Sequence, residues 1–473
     1  MKYIFTSIFT FIVILFLACN IEPVNTFYID SEIGNDTNSG QSPKKAWKSL
    51  NPLMKKGIEP GTKILLRGNL LYEGNITFDS VCGLLGKPIV FSTFGKGRAI
   101  LNAGDTSGLL FSRCSFLEIS NISVIGSGRL NGNNGNGLEL SGCKEVKIDS
   151  IDAHGFMWSG IHIVRGENIR LNNITSYENG FCGILVESGE PEYGLDGSKF
   201  KTMRNIYIGN SKAYNNPGCP LIKDNHSGNG ILMAGVVNGV IEFCEAYNNG
   251  WDMPRDGNGP VGIWAYMSDS ITIQYCYSHH NKTSLTGKDG GGFDFDGGIT
   301  NSIMQYNISA NNEGAGYGIF QYAGATAWAN NLLRNNISYN DGFKNGKSGI
   351  FMWYDPVALP MKNFKALNNL IISNQPYAVN FDPGKYENFI FQQNIFLLTG
   401  PYVGFAGGSY NSAGFIGNTY WHSDGNKMNS QPPIHDDAQA NLNKPDIDYL
   451  NFVDEDVSVA NIKPLLVKYG VIR

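Results

Sequence analysis

The sequence predicts an all-β solenoid, a single-stranded parallel β-helix, and three observations carry that prediction. A short phrase recurs in which Gly is followed by alternating apolar and variable residues, as in Gly160-Ile161-His162-Ile163, Gly230-Ile231-Leu232-Met233, Gly262-Ile263-Trp264-Ala265 and Gly292-Phe293-Asp294-Phe295. Alternation of period two reads as a strand with one buried face, and recurrence at spacings of about 20–50 residues marks a repeat architecture. A second apolar phrase follows each first one (Val146-Lys147-Ile148, Ile206-Tyr207-Ile208, Ile271-Thr272-Ile273), then a small third stretch and an Asn-rich turn such as Tyr247-Asn248-Asn249-Gly250. Three short strands punctuated by Gly and Asn describe one coil, because Asn tolerates left-handed backbone and suits a sharp corner. Stacked coils bring Asn side chains into ladders, for which Asn307, Asn336 and Asn369 are candidates. A propeller would need hairpin-linked strands, and no two-residue Asn-Gly hairpin joins alternating strands here.

The segments follow in order. Residues 1–19 read as an export signal: Lys2 gives the positive start and residues 4–17 the apolar run. Phe16-Leu17-Ala18-Cys19 resembles a bacterial lipoprotein signal, which implies lipidation of Cys19 and a chain exported and lipid-anchored in the cell envelope, touching membrane only through that anchor. Residues 20–26 form a tether. Residues 27–100 form an N-terminal cap and first coils, with Phe27-Tyr28-Ile29-Asp30, Ala46-Trp47, Ile64-Leu65-Leu66 and Ile89-Val90-Phe91. This opening resembles the pectin-lyase-like right-handed parallel β-helix proteins, largely polysaccharide lyases and glycoside hydrolases. The resemblance spans roughly residues 27–425 and implies a right-handed coil; it fixes the fold better than the reaction. Residues 101–425 carry the coils, and residues 426–473 lose the pattern and are expected to cap the last one.

Composition agrees. The chain has 58 Gly and only 16% charged residues, as many turns around a narrow apolar core require. A formal charge of −5 argues against nucleic acid or an anionic membrane surface as partner, and a monomer is expected. Seven cysteines remain after Cys19, without paired CxxC spacing; Cys114 with Cys143, and Cys244 with Cys276, occupy matching places in successive repeats and read as stacked buried thiols.

Loop lengths point to a site. The stretches 217–229, 250–260, 281–291 and 341–348 before the Gly phrases are long, and the insertion 188–203 follows one on its other side. Loops on both edges of one strand stack build the walls of a cleft. The outward positions between them form a row: Glu139, His162, Leu185 and Glu187, Leu232, Trp264 and Tyr266, Asp294 and Asp296, Phe320 and Tyr322, Phe351, Trp353 and Asp355, Asn380 and Asp382. Parallel strands lie about 4.8 Å apart, so Trp264, Asp294 and Phe320 are expected as near neighbours. Aromatic faces stack on sugar rings, and carboxylates bind hydroxyls or act on the glycosidic bond.

The sharpest spot is Lys288-Asp289-Gly290-Gly291-Gly292-Phe293-Asp294-Phe295-Asp296. With Phe293 and Phe295 facing the core, Asp294 and Asp296 share the outer face at roughly 6–7 Å along the strand. Two such carboxylates drive one pKa up and supply an acid beside a base or nucleophile. One coil onward, Glu313 is positioned to join them. The pattern resembles β-helix glycoside hydrolases with acidic pairs on adjoining turns, which implies Asp294 as nucleophile or base and Glu313 or Asp296 as the acid. Lys288, Asp289, Tyr266, Tyr322, Trp353, Asp355, Glu187, His162 and His226 are substrate-binding candidates. His226 and Asp224 sit in a wall loop, as do Trp251, Asp252, Arg255 and Asp256; His279-His280 reads as structural. No cofactor is expected, although Asp289, Asp294 and Asp296 are also oxygen ligands that suit Ca²⁺.

The leading expectation is a glycoside hydrolase acting on a polysaccharide or oligosaccharide. A polysaccharide lyase on a uronic-acid polymer, possible with calcium, and a non-catalytic glycan-binding β-helix are the alternatives. An acid-rich row repels a polyuronate, which sets the lyase second.

Overall fold

The computed structural model describes residues 25–189, 203–284, 287–344, 347–400, 404–407, 411–425, 436–437, 439–445, 452 and 456–472. The export signal with Cys19 and almost all of the 188–203 insertion lie outside these residues. The described strands form two parallel sheets of 12 and 25 strands. The smaller sheet holds the Gly-phrase strands, among them Ser159–Val164, Cys182–Glu187, Asn229–Ala234, Val261–Tyr266, Gly291–Phe295, Tyr317–Gln321 and Ile350–Tyr354. The second and third phrases of each coil share the larger sheet. Between them the chain turns through one left-handed residue, such as Asn173 (φ 54°), Asn210 (φ 50°) or Asn335 (φ 56°). In an early coil the same left-handed residue, Ser150 (φ 55°), falls inside one strand, Lys144–His154, which pairs onward with both Glu167–Asn172 and Thr175–Tyr177.

Buried asparagines stitch the coils together. The expected ladder exists and is longer than predicted: Asn307 Nδ2 donates to Asn336 Oδ1 (3.1 Å), Asn336 to Asn369 (3.0 Å), Asn369 to Asn394 (2.9 Å), Asn394 to Asn418 (3.0 Å) and Asn418 to Asp437 (3.1 Å). A second ladder climbs another corner, from Asn179 through Asn216, Asn249, Asn281 and Asn312 to Asp341, at 2.8–3.1 Å per step. Each rung also accepts the backbone N–H of the preceding rung, so the polar corner is satisfied without water. This second ladder explains the recurring Gly. A Cβ on Gly262 would lie 2.0 Å from Ser278 Oγ and 2.5 Å from Asn281 Nδ2, and one on Gly292 would lie 2.2 Å from Ser309 Oγ and 2.8 Å from Asn312 Nδ2. The Ser-x-x-Asn of one corner occupies the space a side chain would need where the next strand begins.

Inside, an apolar column runs the length of the solenoid, with Phe293, Phe295, Tyr317 and Trp328 fully enclosed. At the start, Phe27 stacks on Trp47 (4.8 Å) and both rings join the column. The C-terminal segment divides. Asp437 ends the first ladder, Asn441 bridges to Thr419, and Ala440 and Leu442 pack on the end of the column. Ile462, Leu465, Leu466, Tyr469 and Val471 instead lie along the flank, on the outward side chains Tyr277, Ile308, Ile337 and Leu370 of the larger sheet. These third strands turn Ser278, Ser309 and Ser338 inward to the second ladder and apolar residues outward, and the helix Ile462–Lys468 covers what would be an exposed stripe. Among the described residues all seven cysteines are free thiols; six are buried and Cys82 is exposed.

Candidate active site

Over the central coils the outward side of the smaller sheet is roofed rather than bare. The strands Asn229–Ala234 and Gly291–Phe295 are buried at every position. From the wall loop 217–229, Cys219 and Ile222 pack on Leu185, Leu232 and Trp264 and close the upstream end of the trough. Downstream of that plug a pocket of about 700 Å³ opens, in the range of small-ligand sites.

Register sets its floor. Trp264 pairs with Asp294, Asp294 with Gly318, and Gly318 with Phe351. Phe320 is a near neighbour of Asp294, as expected, but not through direct register: it is two residues on from Gly318 and pairs with Trp353. Its ring folds back over Gly318, where a Cβ would lie 2.7 Å from the Phe320 ring and 3.0 Å from Asp294 Oδ1. The missing side chain lets ring and carboxyl approach each other. Asp294, Asp296, Asp289, Lys288, Glu187 and His226 line the pocket with Trp264, Tyr266, Phe320, Tyr322 and Trp353. Eleven of the fourteen predicted site residues thus meet in one cavity.

The remaining three do not. Glu313 sits on the turn outside the pocket, where its carboxylate pairs with Lys344 (2.8 Å) and accepts the Thr283 N–H (2.9 Å). Lys344 also reaches the Thr283 carbonyl (2.7 Å), so this pair braces two wall loops and is not available as an acid. Asp355 turns away to accept the Val357 N–H (3.0 Å). His162 lies behind the rim, its Nε2 2.9 Å from Glu187 Oε1, and meets the pocket only through Glu187. Among the wall-loop candidates, Arg255 and Asp224 line the cavity, while Asp252 pairs with Arg129 (2.7 Å). Arg129 also donates to the Gly218 carbonyl (3.0 Å), tying neighbouring walls.

The carboxyls are tuned by burial. Asp294 is 3% exposed and one of its oxygens has no hydrogen-bond partner. Its pKa is pushed well above the usual carboxylate value, first by burial and then by the charges of Asp296 and Asp289. Asp296, half-buried beside it, is pushed up to about 7 by burial against the opposing Gly297 N–H bond. Burial also raises Asp289, whose Oδ2 accepts the Gly259 N–H at 2.6 Å; Lys347 and Arg255 pull it back. Among the described residues no three His, Cys, Asp or Glu side chains converge as metal ligands.

Two residues escaped the sequence reading. Lys347 enters from the wall loop 341–348, its ammonium 3.6 Å from the centre of the Phe351 ring, and burial pushes its pKa down against the pull of Asp289 and Asp382. Phe351 stood in the row but was not singled out; it packs edge-on to Phe320 (5.4 Å). The available signal for Lys347 was positional: like Lys288, it lies just before a Gly phrase.

With this fold and pocket in view, the chain falls in the class of right-handed parallel β-helix proteins. Residues 205–355 match the family model described as a right handed beta helix region. Among curated proteins none matches the chain in sequence. Solved structures share its fold, three of them as follows. The GH136 lacto-N-biosidase from Eubacterium ramulus is 14% identical, with a TM-score of 0.53, 84% of this chain covered and 67% of that one. A mannuronic acid specific polysaccharide family 6 lyase from human gut microbiota is 11% identical, with a TM-score of 0.54, 95% and 100% covered. The catalytic domain of a GH87 alpha-1,3-glucanase, in complex with tetrasaccharides, is 13% identical, with a TM-score of 0.51, 84% and 68% covered.

Proposed function

We propose that the protein is a carbohydrate-active enzyme that hydrolyses a glycosidic bond in this pocket. The observation that carries the reading is the pair Asp294 and Asp296, side by side on an aromatic-walled floor and unequally buried. The deeper Asp294, raised well above the ordinary carboxylate value, favours its protonated form and suits the general acid; the half-buried Asp296, pushed up to about 7, suits the base or nucleophile. This reverses the roles that the family resemblance implied, because burial favours the neutral carboxyl. In the step, Asp294 gives its proton to the leaving glycosidic oxygen. Asp296 takes a proton from the attacking water or first forms the glycosyl ester that water later cleaves. Trp353, Phe320 and Tyr322 offer ring faces and edges to the sugar. Structures of similar fold that are named as a lacto-N-biosidase and an alpha-1,3-glucanase support hydrolysis on such a frame.

One observation favours a second reading. Lys347 is a half-buried amine with a lowered pKa, and Arg255 lines the same pocket, so the two suit the base and the charge neutraliser of a uronate-specific lyase. The structure named as a mannuronic acid specific lyase fits that case. Incubation with a glycan panel separates the readings: new reducing ends without the absorbance of an unsaturated uronate support hydrolysis, and that absorbance, lost in Lys347→Ala, supports elimination. Asp294→Asn with full turnover would refute the hydrolase assignment, and saturable glycan binding with no turnover on any glycan supports a binding protein. Export and lipidation at Cys19 rest on residues 1–19, and radiolabelled palmitate incorporation lost in Cys19→Ala is their test.

A further inference from the structure

The closed upstream end of the pocket contains a histidine whose protonation is written into its hydrogen bonds. His226 Nδ1 lies 2.9 Å from Asn229 Nδ2. The orientation of that amide is fixed twice by backbone groups: Asn229 Oδ1 accepts the Val261 N–H (3.4 Å), and Asn229 Nδ2 donates to the Phe181 carbonyl (3.2 Å). A carbonyl cannot donate and an N–H cannot accept, so Nδ2 is the nitrogen, it is a donor, and His226 Nδ1 must receive. The ring proton is then on Nε2, the nitrogen left for the cavity that His226 lines.

The ring is held between Phe181 (5.5 Å) and Trp264 (5.1 Å, at 72°). Burial and the nearby Arg255 hold its pKa down to about 4, against the pull of Glu187; Asp224 lines the cavity with them. An imidazolium would put a second N–H against Asn229 Nδ2, donor against donor. Two neighbouring groups lack partners of their own. Trp264, 4% exposed, has a buried Nε1–H with no acceptor, and Asp294 on the paired strand position has a buried Oδ1 with no donor. Unsatisfied buried polar groups cost stability unless something fills them.

We propose that the corner formed by His226, Trp264 and Asp294 is a subsite for a neutral sugar hydroxyl, in which His226 is an Nε2–H donor whose tautomer Asn229 fixes. A hydroxyl there accepts from a neutral N–H and donates to the Asp294 oxygen. His226 is thereby a specificity-determining residue and takes no part in proton transfer. The subsite rests on the reading of the pocket as a sugar site, but the tautomer does not.

The test is nitrogen NMR on the full chain with labelled histidine, His226 being assigned among the seven histidines by the missing signals of His226→Asn. The expected result, without ligand, is a pyrrole-type Nε2 and a pyridine-type Nδ1 that do not titrate between about pH 5 and pH 8. A proton on Nδ1, or titration near the ordinary histidine value, overturns the proposal. Asn229→Asp, which turns the Nδ1 partner into an acceptor, is expected to move the proton to Nδ1. Lactose, cellobiose and laminaribiose are then titrated into the inactive Asp296→Asn protein. A disaccharide that saturates is expected to shift Nε2, and His226→Phe to weaken it about tenfold, with His226→Gln recovering most of the loss through its amide N–H. Saturation that leaves Nε2 unmoved refutes the subsite alone; failure of all three sugars to bind counts against the sugar pocket itself.

Discussion

Replacing Asp296 by asparagine should stabilise the fold, and by an amount that grows with pH. Its carboxyl is pushed up to about 7 from an ordinary 3.8, chiefly by burial. The unfolded chain ionises this group near 3.8, so above that pH the unfolded state releases a proton that the folded state keeps. Stability therefore falls as pH rises from about 4 to about 7 and is flat beyond. At 1.36 kcal/mol per pH unit the full gap is nominally about 4 kcal/mol. The carboxylate is half-buried at the pocket mouth and keeps part of its hydration, which leaves about 1–2 kcal/mol. Asparagine has nearly the same shape and never ionises. In urea unfolding followed by tryptophan fluorescence, the advantage of Asp296→Asn over the parent should be about 1 kcal/mol larger at about pH 8.5 than at about pH 5. A difference independent of pH, or one that shrinks as pH rises, would show that Asp296 is not buried as described. The same variant should lose turnover and with it the limb of the pH–rate profile near 7.

Three further outcomes are expected. Asn281→Ala breaks the second ladder, leaving the Ala246 carbonyl and the Asn249 N–H without partners; a loss of about 3–5 kcal/mol in urea unfolding is expected, and under about 1 kcal/mol would mean the ladder is dispensable. Gly318→Ala pushes a methyl into the gap between the Phe320 ring and Asp294, so turnover should fall more than about tenfold while the melting temperature moves by only a few degrees. Glu313→Gln loses the Lys344 ion pair but can still accept the Thr283 N–H, so it should cost about 1 kcal/mol of stability and keep kcat within a few-fold; abolished turnover in a folded variant would restore Glu313 as a catalytic candidate.

Much of this was readable in the letters because a solenoid writes its period into the chain. The Gly phrase, the second apolar phrase and the Asn corners each mapped onto a sheet or a turn, and period two alone put Phe293 and Phe295 inside with Asp294 and Asp296 outside. Coil-to-coil register was less legible. A slip of two residues decides whether Gly318 or Phe320 faces Asp294, and uneven loops hide the count. Glu313 shows the limit more sharply: sequence distance placed it one coil from the acids, yet a turn aims its side chain outward to Lys344, a partner in a later loop. The C-terminal helix misled for a different reason. Its apolar residues fit either the end of the column or its side, and only the stripe from Tyr277 to Leu370 decides between them. The Gly of each phrase was read as a strand marker, whereas its cause lies in the Ser and Asn of the neighbouring corner.

The second asparagine ladder separates two things that most folds must change together. Its rungs are 37, 33, 32, 31 and 29 residues apart along the chain, yet their spacing in space is constant to within a few tenths of an ångström. Part of that variation falls in the described wall loops 217–229 and 250–260, which line the pocket. New lengths and new side chains can therefore be tried at the rim while the frame beneath keeps its pitch. Cavity shape is the freely edited part of this molecule, and the solenoid under it stays constant.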